Sequence, residues 1–82
     1  MITKEEINQF FKDRIAKEMK IDVSEIDVHA EFYIHGLDSI SAIYVLDKLE
    51  DFLHIQINPI DFWEYPTIEK FSTYLVEQRL KS

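Results

Sequence analysis

The sequence predicts an all-α fold of three main helices, one short helix and a long first loop. Three observations carry this. Apolar residues recur at helical spacing in three segments, and each segment opens on a capping residue. The 82 residues include one glycine and two prolines, too few turn formers for a many-turned β-sandwich. No repeat, low-complexity stretch or linker interrupts the chain. At this length residues 1–82 form one domain, with a stability of roughly 4–12 kcal/mol and no room for a deep, multilayered catalytic cavity.

The first helix is expected over about residues 4–19. Thr3 and Glu6 have capping-box spacing, Glu5 and Glu6 complement the helix dipole, and Ile7, Phe10, Phe11, Ile15 and Met19 make one apolar face. From Ile21 to Leu37 neither helical nor strand period is sustained. That segment reads as a long ordered loop pinned across the core, with one helical turn near Ser24–Ile26. Gly36 ends it. Asp38 is the natural N-cap of a second helix running from about Ser39 to Leu53. Asn58-Pro59 marks a turn into a short segment, roughly Pro59 to Glu64. Pro66-Thr67 then caps a last helix over about residues 67–80, with Ile68, Phe71, Leu75 and Leu80 inward.

Charge is unevenly placed. The net −7 divides into +1 over residues 1–20, +2 over residues 70–82 and −10 over residues 21–69, where Lys48 is the single base. Such a surface repels phosphate backbones and argues against nucleic-acid binding; it favours partners with basic patches. Simple solubility is the plainer reading of charge alone. With no cysteine, a disulfide scaffold, a thiolate metal site and a cysteine nucleophile are excluded. No signal-peptide pattern is present and no apolar run approaches the length of a membrane span, so a cytoplasmic protein without a membrane partner is expected.

The second helix holds the main signal. Ala42, Val45, Leu46, Leu49 and Leu53 gather within about 100° as a core stripe, with Phe52 at the margin. The opposite side mixes Ile40, Ile43 and Tyr44 with Asp47, Glu50 and Asp51, and Ser39 stands at its N-terminal end. Apolar side chains off the core stripe suggest a protein-contact surface rimmed by charge, unless the loop or the short segment covers them. Because Asp38 is placed to cap the helix, Ser39 is free to point outward. A helix N-terminus is also a favourable place for a phosphate, and Gly36 permits positive φ on the approach.

Gly36-Leu37-Asp38-Ser39 followed by Ile40 resembles the attachment motif of the acyl carrier protein superfamily. Phe32, Leu49-Glu50 and Tyr65-Pro66-Thr67-Ile68 also fall where that superfamily has similar residues, so the resemblance covers most of the chain. It implies a four-helix bundle of the acyl-carrier type and a 4′-phosphopantetheine arm carried on Ser39. It implies carriage and not catalysis: the arm's thiol holds acyl groups as thioesters, which supplies the reactive sulfur that the cysteine-free chain lacks. A phosphopantetheinyl transferase would move the arm from coenzyme A. Leu37 and Trp63-Glu64-Tyr65-Pro66-Thr67 resemble polyketide synthase carriers, whereas peptide-synthetase carriers usually show a second glycine at the position of Leu37. The resemblance thus implies a part in polyketide or related fatty acyl or secondary metabolite biosynthesis. Two departures stand out: His54 where polyketide carriers commonly have glycine, and Ile40 where leucine is more common.

Implied partners are the transferase, an acyl-loading enzyme (an adenylating ligase or acyltransferase), and a ketosynthase or other acyl-processing enzymes. They would read Ile40, Ile43 and Tyr44 as apolar anchors and Asp38, Asp47 and Asp51 as charge guides. Trp63 would join that face or plug the core. The carrier is expected to be monomeric. Met1 directly before a capped helix tilts the expectation slightly toward a discrete protein.

Alternatives are a peptidyl or aminoacyl carrier of a nonribosomal peptide pathway, and an unmodified helical interaction domain. A hydrolase built on Ser39, His35 and Asp38 is disfavoured, because neighbours in sequence rarely reach triad geometry and no Gly-x-Ser-x-Gly elbow is present. His29, His35 and His54 lack metal-ligand spacing, and no EF-hand loop occurs, so no metal site is expected.

Overall fold

The structure, a computed structural model, describes residues 2–80. Helix α1 spans Lys4–Met19 and opens on the Thr3–Glu6 capping box. It ends where Lys20 turns left-handed, at φ 58°. A second capping box, Asp22 with Glu25, starts the 3₁₀ turn Val23–Glu25, one residue off the expected position. Another 3₁₀ turn follows at Phe32–His35. Helix α2 runs Ser39–Leu53, α3 Ile60–Glu64 and α4 Ile68–Tyr74. The architecture is therefore the four-helix arrangement expected, and no strand occurs among the described residues.

Ile7, Phe11 and Ile15 of α1 meet Val45 and Leu49 of α2 and Ile68, Phe71 and Leu75 at the chain's end; all are buried. At the centre Phe11, Phe32 and Phe71 pack edge-on or tilted, with ring centroids 5.5–6.3 Å apart. Offset and edge contacts of this kind suit the ring quadrupoles. The long loop crosses the core as expected. Ile26, Phe32 and Leu37 are buried, and backbone bonds tie the loop to the start of α4: Phe32 N–H to Pro66 O (2.9 Å) and Glu69 N–H to Val28 O (3.0 Å). Glu31 and Thr67 form an isolated antiparallel bridge at this crossing.

The ion pair Lys4–Glu69 and the bond from buried Ser72 Oγ to Asn8 Oδ1 (2.5 Å) join α1 to α4. The last helix departs from expectation. Ser72 and Thr73 hydroxyls both donate to Glu69 O, and the chain then widens into a π-type turn over Leu75–Arg79. Hydroxyl back-bonding of this kind competes with regular helix bonds. Leu80 N–H bonds Leu75 O, an i→i+5 step, so Leu80 falls out of the 3.6-residue phase and is only half-buried.

Candidate functional site

The site is built at the junction of the loop and α2. Gly36 has φ +88°, and its N–H donates to Tyr33 O (3.0 Å), which closes the turn. A Cβ here would lie 3.4 Å from Met19 Sδ, an ordinary contact, so the need for glycine is conformational and not steric. Leu37 is buried and anchors the strap that leads into α2. Asp38 is the N-cap: its Oδ1 accepts from Ser41 N–H at 2.8 Å. Backbone donation from Ser41 holds this exposed carboxyl below the usual aspartate range.

With the cap made by Asp38, the Ser39 side chain is exposed and its hydroxyl makes no hydrogen bond among the described residues. The N–H groups of Ser39 and Ile40 belong to the first turn and have no intrahelical acceptor. An exposed hydroxyl beside first-turn N–H groups at the positive end of a 15-residue helix fits a covalently attached phosphodiester. The hydroxyl has no base beside it from its own neighbours. His35 Nε2 accepts from Asp27 N–H (3.1 Å) and Asp38 is committed to the cap, so no Ser–His–Asp relay exists.

Down α2, Ala42, Val45, Leu46, Leu49 and Leu53 are buried. Ile40 is 81% exposed, and Ile43 and Tyr44 also face solvent, so neither loop nor short helix covers them. Asp47 and Asp51 are exposed beside them. The Lys48 ammonium stands 5.4 Å from the centroid of the Tyr44 ring, a cation–π contact. Glu50, read from sequence as part of the same acidic face, has a different place. It is half-buried and its carboxylate accepts from Ile57 N–H at 2.5 Å, pinning the segment between α2 and α3. Arg79 Nη2 donates to Gln56 O in that segment (2.6 Å).

Trp63 is 64% exposed, which decides against a core plug. Its ring stands edge-on to buried Phe62 at 5.7 Å. Between α2 and α3 lies a cleft of about 80 Å³ lined by Ser39, Ala42, Ile43, Leu46, Pro59, Phe62 and Trp63. The structure thus brings Ser39, Ile43 and Trp63 to one cleft, with Ile40 and Tyr44 on the neighbouring surface of α2. Sequence reasoning missed Ile60, which is exposed, while Asp61 beside it is buried and accepts from Tyr74 OH at 3.0 Å. An isoleucine out and an aspartate in reverse the usual pattern, so only the tertiary partner could reveal it.

His54 closes α2 in the left-handed region at φ 58°. The side chain departs from the glycine expected there, but the backbone conformation is the one glycine favours. Among the described residues no helix is long and apolar enough to cross a membrane, and no cluster of three metal-ligating side chains occurs.

Residues 9–75 match the family described as "Phosphopantetheine attachment site". Over 74 residues, 90% of its length, the chain is 31% identical to polyketide synthase PksN of Bacillus subtilis, of which it spans only 1%. It is also 31% identical to polyketide synthase PksL of the same organism over 61 residues, 74% of this chain and 1% of that one. Among solved structures, a free-standing peptidyl carrier protein from an uncharacterized Acinetobacter baumannii secondary metabolic pathway is 36% identical. It superposes with a TM-score of 0.87, covering 95% of this chain and 96% of that one. The HMG-ACPI domain of the CurA module of Lyngbya majuscula gives 25% identity and a TM-score of 0.83, over 92% of this chain and 76% of the other. The exposed serine at a capped helix start and a family match across most of the chain agree: the chain belongs to the phosphopantetheine-binding carrier proteins, non-catalytic domains whose cofactor is covalently attached 4′-phosphopantetheine.

Proposed function

We propose that residues 1–82 are one carrier domain that bears its arm on Ser39 and holds acyl intermediates for a polyketide or related fatty acyl or secondary metabolite pathway in the cytoplasm. The observation that carries this reading is the free, exposed Ser39 hydroxyl beside an aspartate that already caps the helix. Ser39 Oγ would hold the phosphodiester, and the N–H groups of Ser39 and Ile40 would face its charge. When bound, the arm supplies a terminal thiol on which an acyl group is held as a thioester. The chain's own part is presentation. Ile40, Ile43, Tyr44 and Trp63 offer apolar contact, and Asp47 and Asp51 steer basic partner surfaces. Those partners are a phosphopantetheinyl transferase drawing on coenzyme A, an acyl-loading ligase or acyltransferase, and a ketosynthase or other acyl-processing enzyme.

Similarity to polyketide synthases, together with Leu37 inside the motif, favours acyl cargo. A peptidyl or aminoacyl carrier is the second reading, favoured by the 36% identity to the free-standing peptidyl carrier protein. Intact-mass analysis after incubation with coenzyme A and a broad-specificity transferase tests the attachment. One phosphopantetheine group is gained by the wild-type chain and none by a folded Ser39→Ala variant. An unchanged wild-type mass would sink the proposal. Loading assays that compare acyl with aminoacyl groups separate the two readings of cargo.

A further inference from the structure

Tyr33 and Ile34 are 63% and 62% exposed, next to each other in a loop whose neighbouring apolar residues are buried. Their exposure follows from the geometry of the turn Phe32–His35. A 3₁₀ turn has three residues per revolution, so positions 32 and 35 share a side and positions 33 and 34 face away. Phe32 is held inward by stacking on Phe62, with centroids 4.1 Å apart, and His35 Nε2 accepts from Asp27 N–H. Backbone bonds fix both ends, Phe32 N–H to Pro66 O and Gly36 N–H to Tyr33 O. The pair is thus shown to solvent by a turn that is already ordered, and docking on it incurs little further entropy loss.

Two relationships say what it meets. The first is position. The Tyr33–Gly36 turn spans less than about 7 Å and three more residues reach at most about 11 Å, so Tyr33 lies within about 18 Å of Ser39. A standard interface covers about 800 Å² per partner, a disc of about 16 Å radius. That bound is close to the radius of the disc, so an enzyme that seats Ser39 and extends toward the loop is large enough to reach this pair. The second is charge. From Ile21 to Asp47 the chain carries six acids and no lysine or arginine, and Asp22, Glu25, Asp27 and Glu31 are exposed in the loop itself.

We propose that Tyr33 and Ile34 form a second docking point, apart from the α2 face, for the phosphopantetheinyl transferase that must reach the Ser39 hydroxyl. The partner surface it fits is an apolar hollow rimmed by lysine or arginine. This rests on Ser39 being the attachment point.

The test is the rate of phosphopantetheine transfer from coenzyme A by a broad-specificity transferase, followed by intact mass. The double variant Tyr33→Ser/Ile34→Ser should lose about tenfold in kcat/KM, carried by KM, with kcat retained at saturating carrier. The conservative pair Tyr33→Phe/Ile34→Leu should keep the wild-type rate, and a circular-dichroism melt of the double serine variant that matches the wild type should show that the loss is not one of folding. Ile34→Thr alone should lose about threefold, and wild-type and variant rates should both fall as salt screens the acidic rim, with their ratio kept. Wild-type rates for a folded double variant overturn this inference and leave Ser39 untouched. Failure of the wild-type chain to be modified, or modification of Ser39→Ala, instead overturns the assignment of Ser39 and the inference with it.

Discussion

The Phe32 ring lies almost flat on that of Phe62, with planes 16° apart and centroids at 4.1 Å. This contact bolts the loop that precedes Ser39 onto the short helix that walls the cleft behind it. Both rings are buried, and α3 has only five residues with which to hold itself in place. Phe32→Ala should cost about 3–5 kcal/mol, a large share of what a domain of this size has. Urea denaturation checks it, and faster amide exchange in α3 should accompany the loss.

Two neighbouring acids of α2 should behave differently. Glu50→Ala leaves Ile57 N–H without its acceptor and should destabilise the domain by about 1–3 kcal/mol. Asp51→Ala, at an exposed position, should stay within about 0.5 kcal/mol of the wild type. Thermal melts of the two variants side by side decide the matter.

Left-handed backbone sets up an opposed pair. His54→Gly places the residue with free access to that region where φ is 58°, and should stabilise the chain by about 1 kcal/mol. Gly36→Ala puts a Cβ where φ is 88° and should cost about 1–2 kcal/mol, although it would meet Met19 Sδ only at contact distance, 3.4 Å. Chemical denaturation midpoints report both signs.

Acid stability should carry the signature of the Asp38 cap. Its folded pKa lies below the model-peptide value of 3.8, so its contribution is present above that value and is lost as pH falls through the lower folded one. Asp22 and Glu69 are lowered as well, the first by Ser24 N–H and the second by Lys4, and act in the same direction. Asp38→Asn keeps a capping oxygen but removes the titration, so its stability should fall less steeply below about pH 4. Circular dichroism across an acid titration shows the difference.

On the α2 face, Ile43→Glu and Tyr44→Glu should each weaken partner binding by about tenfold while the melting curve stays in place, since both side chains already face water. Titration calorimetry against a carrier-modifying enzyme measures the first effect. A large loss of helicity would count against the exposed placement.

Helix α2 was legible from Ser39 to Leu53 because its cap, its core stripe and its polar side agree with one another. The loop was legible as an ordered crossing, through its apolar residues and its length. Which of those residues point outward was not, because the 3₁₀ phase that turns Phe32 in and Ile34 out departs from both regular periods. Glu50 and Asp61 look like surface acids in sequence. Their partners, Ile57 N–H and Tyr74 OH, lie seven and thirteen residues away, and only folding brings them together. In the last helix, back-bonding by Ser72 and Thr73 precedes the loss of phase, and Leu80 reaches the edge of the core half-buried.

Asp38 does the capping next to a serine that would ordinarily do it, and this separates two burdens on adjacent side chains. One residue maintains the helix; the other is spare as far as folding is concerned. On the proposed attachment, esterifying a spare hydroxyl breaks no intramolecular bond and sets a negative charge at the positive end of α2, so the modified domain should unfold at the same temperature as the unmodified one or slightly above it. Each cycle of cargo gain and release can then run on an unchanging scaffold, and partners would tell the forms apart by what hangs from the serine and not by the shape beneath it.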